Sequence, residues 1–267
     1  MIGVFDSGFG GLSIFRELRK RFPEYSMMYL GDNARAPYGE HDRDTVSRYT
    51  KDCGVSLFVR GCRLVIIACN TASARTLPGL QSHWNLDEDE MAPILGVISP
   101  MAEAAAQTTQ NGSIGVVATR RTIDSLIYPE LIASHNHELN VSGVPCPALV
   151  PLIESGNTEG EEVKKALAGY ASDLEPESPD TLILGCTHYE KLNPLWSEAF
   201  GENCKILNPS EIIPERLEEY LQDHKKIERG ISLEGKTYFL TTGDPEHFKK
   251  VGSKFYGPID HVEKIEL

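Results

Sequence analysis

Two segments of the chain open on the same strand, "IGVFDSGFGG" from Ile2 and "IGVVATRRTI" from Ile114. Each is followed at a similar distance by an apolar run that ends in a cysteine with a threonine close behind. The first is "LVIIACNTASA", whose Cys69 lies 67 residues after Ile2, and the second is "LILGCTHYEK", whose Cys186 lies 72 residues after Ile114. An Ile-Gly-Val match alone is common among strand sequences. Two matching features at nearly equal spacing point to a duplicated architecture. A chain patterned this way is expected to form two similar α/β units of about 100 residues each, facing each other across a cleft.

The rest of the pattern agrees with that expectation. Short apolar runs alternate with helix-like stretches, as in α/β proteins with largely parallel sheets. Strands are predicted near Ile2–Phe5, Met27–Leu30, Leu64–Ala68, Ile94–Ile98, Ile114–Ala118, Leu182–Leu184 and Thr237–Leu240. Helices are predicted near Leu12–Arg21, Arg43–Arg60, Pro100–Gln107, Ile123–Ser134, Glu161–Asp173 and Pro209–Asp223. The segments "HWNLDEDEM" (83–91) and "EPESPD" (175–180) read as solvated connections from their charge and proline content.

Composition excludes several functions. The chain has 267 residues, with 26 Lys and Arg against 39 Asp and Glu, a formal net charge of −13. Such a charge disfavours non-specific binding to nucleic acid or to an anionic membrane, while leaving a small anionic ligand open to a local pocket. No apolar run approaches the ~18 residues of a membrane span. The N-terminus enters a strand with no basic start or apolar leader, so cytoplasmic residence is expected. Six cysteines without a C-x-x-C, in a chain this long, suit reduced thiols better than a disulfide framework.

Ligands of open α/β sheets bind beyond the carboxyl ends of the strands, and polar residues crowd there. Asp6 and Ser7 follow the first strand, and "GDNARAPYG" (31–39) follows the second. Cys69, Asn70 and Thr71 follow the third, and Cys186, Thr187 and His188 follow the matching strand of the second half. A cysteine between a strand and a helix start meets free backbone N–H groups and the positive end of a helix dipole, both of which favour a thiolate. Two such thiols on opposite sides of a cleft suit the removal of a proton from one face of a carbon and its return to the other. Cys53, Cys62, Cys146 and Cys204 lack polar flanks and read as small buried hydrophobes.

Other chemistries fit less well. Cys186 and His188 have no second ligand pair at metal-binding spacing. A Cys–His hydrolase dyad would leave the second cysteine unexplained. The glycines Gly8, Gly10 and Gly11 match neither nucleotide fingerprint, because Ser13 stands where a third glycine belongs and Asp6 would repel a phosphate. A tight turn presenting Asp6 and Ser7 to a small ligand fits better, although Asp6 alone would also serve as a helix cap. As isolated residues, Asp32 would be a cap, Tyr38 an edge packer and Glu154 a surface carboxylate.

Together, "GVFDSGFGGLSI", "YLGDNARAPYG", "VIIACNTASA", "VPLIESG", "LILGCTHYEKL" and "FLTTGD" resemble the glutamate racemase branch of the aspartate/glutamate racemase superfamily. They occur in family order from Gly3 to Asp244. His188 after Cys-Thr separates the glutamate branch from aspartate racemases, which typically carry an acidic residue there. The resemblance implies two pseudo-twofold-related α/β domains, 1–97 with 208–267 and 98–207, and an active site in the cleft between them. It also implies racemisation without pyridoxal phosphate, metal or any other cofactor. Cys69 would deprotonate D-glutamate and Cys186 L-glutamate, each thiol reprotonating for the other. Substrate-binding positions carry over to Asp6, Ser7, Tyr38, Gly39, Asn70, Thr71, Thr187 and His188, and assisting acid/base or orienting positions to Asp6, Asp32, Glu154 and His188. The implied partner is the small-molecule substrate, with neither nucleic acid nor membrane and with a homodimer left open. Some members carry an N-terminal extension that binds a cell-wall precursor as activator. This chain begins at its first strand, so no such activation is expected. Another racemase of the superfamily and a non-catalytic small-anion or nucleotide module are the competing functions. His188 argues against the first and the paired cysteines against the second.

Overall fold

The computed structural model describes residues 1–74 and 93–267; the expected acidic connection at 83–91 lies outside them. By internal packing the chain divides into one unit of Met1–Val97 with Ile213–Leu267 and a second of Ile98–Ile212.

The first unit is built on β1 (Ile2–Asp6), β2 (Met27–Gly31), β3 (Leu64–Ile67) and β4 (Ile94–Gly96). In the second, β5 (Ser113–Ala118), β6 (Asn140–Pro145), β7 (Thr181–Gly185) and β8 (Lys205–Leu207) do the same. The first sheet gains β9 (Thr237–Thr241) and β10 (Glu263–Lys264) from the C-terminal segment. Its order is β10-β9-β2-β1-β3-β4, and that of the second sheet is β6-β5-β7-β8. Every described pairing is parallel. The series β2-β1-β3-β4 and β6-β5-β7-β8 are the same arrangement, so the duplication read from the sequence holds strand by strand.

The central strands are continuous apolar runs because helices cover both faces of a parallel sheet. β1, β2, β3 and β7 are buried at every position. Parallel pairing needs a crossover between consecutive strands, and helices supply it. Leu12–Arg21 joins β1 to β2, and Arg43–Val59 joins β2 to β3. Asp42 caps the latter by accepting from Thr45 N at 2.8 Å.

Several elements differ from the sequence expectation. The helix expected over 123–134 is two helices, Arg120–Asp124 and Ile127–His135, broken at Leu126, whose φ is +58°. The strand expected over 94–98 ends at Gly96, and Ile98 already begins a helix. Residues 175–180 are more than a solvated loop. Glu175–Glu177 forms a 3-10 turn, and Asp180 accepts from Thr109 Oγ1 and from the backbone N–H groups of Gln110 and Asn111, each at 2.7 Å. The α-helix expected directly after Cys186 begins only at Asn193, behind a 3-10 turn over Tyr189–Leu192. Pro194 accounts for this: it has no N–H to bond the carbonyl of Glu190, and its ring would collide with that carbonyl.

One glycine fixes the turn after β1. A Cβ on Gly11 would stand 2.7 Å from the Cβ of Asp6 and 2.9 Å from that of Ala68. Neither neighbour can swing away, since both atoms are attached directly to strand-end backbone. Gly11→Ala is therefore expected to destabilise the protein by about 1–3 kcal/mol through overpacking, measured as a lower urea midpoint. An unchanged midpoint would show that the turn tolerates a side chain.

Candidate active site

In the first unit, three neighbouring strands deliver their carboxyl ends side by side. Asp32 N donates to Asp6 O at 3.0 Å and Ala68 N to Phe5 O at 2.8 Å, so β2 and β3 leave the sheet on either side of Asp6. Asp6 is 1 % exposed, and its Oδ1 accepts from Gly11 N at 3.1 Å, which holds the glycine turn shut. Ser7 Oγ lies 3.3 Å from Cys69 Sγ. The carbonyl of Cys69 accepts from Ser73 N at 2.9 Å, the first bond of a helix opening at residues 70–74. Cys69 thus occupies the N-cap, where the helix dipole favours negative charge. Asn70 and Thr71 follow in the first turn, both buried. Tyr29 donates to Gly8 O at 3.0 Å, and burial together with the charges of Asp6 and Cys69 pushes its phenol well above the ordinary value.

A second cluster adjoins the end of β2. Asp32 is fully buried. Its Oδ2 accepts from Tyr38 OH at 2.5 Å and Arg35 Nε at 2.6 Å, and its Oδ1 from Thr242 Oγ1 at 2.7 Å. Arg35 also contacts Asp52 at 3.1 Å and lies over the Tyr49 ring at 4.2 Å. With three donors on its two oxygens, Asp32 is suited to orienting Tyr38 rather than to exchanging protons. Tyr38, 1 % exposed, begins the short 3-10 turn that also contains Gly39.

The second unit carries a polar group of its own. Cys186 follows β7, and Gly185 before it is closely packed, since a Cβ there would lie 3.0 Å from Ala118 Cβ. The helix Leu149–Ser155, ended by Gly156 at φ +92°, presents Glu154 to His188, with Nε2 and Oε1 2.9 Å apart. His188 Nδ1 lies 3.9 Å from Cys186 Sγ, within reach of a sulfur hydrogen bond. Burial works against charge on this imidazole, but its hydrogen bonds to Cys186 and Glu154 and their negative charge outweigh it and raise His188 from 6.5 to about 10. Thr187 is buried between the two. Without an α-helix N-terminus at hand, the electrostatic partner of Cys186 is this imidazole.

All six cysteines are free and buried. Among the described residues no group of three or more His, Cys, Asp or Glu side chains converges as a metal site would, and no helix is long and apolar enough to cross a membrane. Two polar residues at strand ends escaped the sequence reading. Thr119 follows β5 where Ser7 follows β1, and the register Ala118 to Gly185 sets it beside Cys186. The repeated Ile-Gly-Val segments already aligned those two hydroxyls. Thr242 lies in the "FLTTGD" stretch but was not singled out there, because its partner Asp32 lies 210 residues away.

Residues 12–213 match the family model described as Asp/Glu/Hydantoin racemase. The chain belongs to that racemase family. It is 38 % identical to a glutamate racemase of Geobacter metallireducens over 256 residues, covering 96 % of this chain and 92 % of the relative. The fold matches the crystal structure of a glutamate racemase isoform from Bacillus anthracis with a TM-score of 0.90 at 32 % identity, covering 100 % of this chain and 97 % of the other. It also matches a glutamate racemase from Francisella tularensis solved with D-glutamate, with a TM-score of 0.89 at 30 % identity and coverage of 99 % and 97 %. Membership in this isomerase family gives the paired strand-end thiols a chemical context.

The His188–Glu154 pair carries a pH signature. With His188 titrating near 6.5 when unfolded and near 10 when folded, its pairing stabilises the fold fully below pH 6.5. That contribution falls as pH rises and is gone above about 10. Glu154→Gln should therefore lower the melting temperature relative to the parent protein more at pH 6 than at pH 10.5. An equal difference at both pH values would mean that His188 is not charged in the folded protein.

Proposed function

We propose that the protein interconverts L- and D-glutamate by two-base proton transfer at the α-carbon, with Cys69 and Cys186 as the two bases and no cofactor. The observation that carries this is the matched placement of two buried cysteines, after β3 and β7, the corresponding strands of the four-strand series that the two sheets share. Each has its own polar partner, Ser7 for Cys69 and His188 for Cys186. The glutamate racemase names of the relatives support the choice of substrate, as does the D-glutamate bound in the Francisella tularensis structure.

An amino-acid α-proton is very weakly acidic, so the carbanion must be stabilised by fixed dipoles in a site that excludes water. The hydroxyls of Ser7, Thr71 and Thr187, with Asn70 and the Tyr38–Gly39 turn, hold the substrate carboxylates. Asp6 accepts from the ammonium. Taking the proton from L-glutamate converts a Cys186 thiolate to a thiol, while the Cys69 thiol gives its proton to the opposite face and becomes a thiolate. The reverse direction exchanges the roles. His188, held by Glu154, supplies the positive charge that pairs with a Cys186 thiolate, and the helix N-terminus does so for Cys69. Asp32 positions Tyr38. On family resemblance alone, the enzyme acts in the cytoplasm and its D-glutamate feeds peptidoglycan synthesis.

Circular dichroism of L-glutamate, with purified protein in reducing buffer and no added cofactor, should decay to zero as the racemate forms. Cys69→Ala and Cys186→Ala should each lower the rate by at least about 100-fold, the contribution of one positioned acid/base. Normal racemisation by either variant would refute the two-base assignment, and none by the parent protein would refute the activity.

A further inference from the structure

The end of β9 reaches the site loop through one hydroxyl. β9 pairs with β2, and the pairing continues past its end, where Thr242 N donates to Gly31 O at 3.1 Å. Thr242 Oγ1 then makes two bonds to the loop that leads to Tyr38. It donates to Asp32 Oδ1 at 2.7 Å and accepts from Ala34 N at 3.0 Å. Arg35 and Tyr38 both bond the other carboxylate oxygen, Oδ2. Thr242 is thus the described donor that fixes the rotation of the Asp32 carboxylate, and that rotation sets where Oδ2 holds the phenol of Tyr38. Thr241 Oγ1 adds a bond to Asn33 Oδ1 at 2.9 Å, and Gly243 packs against Asn33, where a Cβ would lie 3.0 Å from that of Asn33.

We propose that Thr242 is a positioning residue for the substrate: its hydroxyl clamps Asp32 and the backbone of Ala34, and thereby holds Tyr38 and Gly39 in place to bind a substrate carboxylate. This rests on the assignment of Tyr38 and Gly39 to substrate binding. Thr242 acts through Asp32 and does not touch the reacting atoms. Because the backbone N–H groups of the Tyr38–Gly39 turn would hold a carboxylate equally in the ground and transition states, losing the clamp weakens binding and leaves the chemical step in place. A buried carboxylate deprived of one of its donors costs enough to turn the side chain toward another partner.

Thr242→Val keeps the shape and removes the hydroxyl, while Thr242→Ser keeps the hydroxyl. Two readouts separate the clamp from the activity. In racemisation assays, Thr242→Val should raise KM for both glutamate enantiomers by about tenfold, the loss of one hydrogen bond to a charged group, with kcat within about threefold. Thr242→Ser should restore KM. In hydrogen–deuterium exchange followed by mass spectrometry, peptides spanning 32–41 should exchange faster in Thr242→Val, Ala34 having lost its acceptor, and return to the parent rate in Thr242→Ser. An unchanged KM in Thr242→Val, whatever the exchange does, overturns the positioning role. So does a serine variant no better than the valine one. If the parent protein does not racemise glutamate, the substrate assignment fails by itself, and unchanged exchange in Thr242→Val would then defeat the clamp separately.

Discussion

Neighbouring strands of a parallel sheet point the same way, so the residues that follow their carboxyl ends emerge side by side. Everything at the candidate site depends on that. In the first unit it gathers Asp6 and Ser7, Asp32, and Cys69 with Asn70 from three strands separated by tens of residues in sequence. In the second it brings Thr119 next to Cys186. No long-range loop folding is needed to assemble either group, because strand register has already done it. What remains for side chains is fine placement: the Gly11 turn closed by Asp6, the Asp32 carboxylate with its three donors, and Glu154 holding the ring of His188.

The two cysteines have matching positions and different surroundings. Cys69 caps a helix and has a neutral hydroxyl within reach, so backbone dipoles would support a thiolate there. Cys186 is followed by a 3-10 turn, because Pro194 delays the α-helix, and an imidazole backed by a carboxylate takes the place of the dipole. One duplicated scaffold thus sets two cysteines in different electrostatic surroundings. Under the proposed two-base reaction, each setting would support a thiolate by different physics.

Much of this was visible in the residues themselves. The central strands could be read because parallel strands buried on both faces are uninterrupted apolar runs, as in "LVII" and "LILG". Helices Leu12–Arg21 and Pro209–Asp223 appeared with the bounds they have in the structure. β6 and β8 were missed because edge strands carry mixed polarity, "NVSGVP" and "KIL", although the repeat seen from Ile2 and Ile114 implied partners for β2 and β4. The break at Leu126 has no proline or glycine to announce it. At the site, strand-end residues such as Ser7, Cys69 and Cys186 stood out because chemistry interrupts an apolar run there. Glu154 gave no such sign, since its helix has seven residues and its role depends on meeting His188. Asp32 suggested a cap in isolation, and only its contacts with Tyr38 and Thr242 show what its charge is for.

The proposed assignment of one monoprotic thiol to each face of the α-carbon predicts a definite isotope pattern. L-glutamate should be converted partially by the protein in D2O and the two enantiomers separated and weighed by mass spectrometry. Two bases predict D-glutamate fully deuterated at the α-carbon, alongside remaining L-glutamate that is still protiated at low conversion. D-glutamate retaining the original α-proton, or early label appearing equally in both enantiomers, would mean that a single base serves both faces and would contradict the paired roles of Cys69 and Cys186.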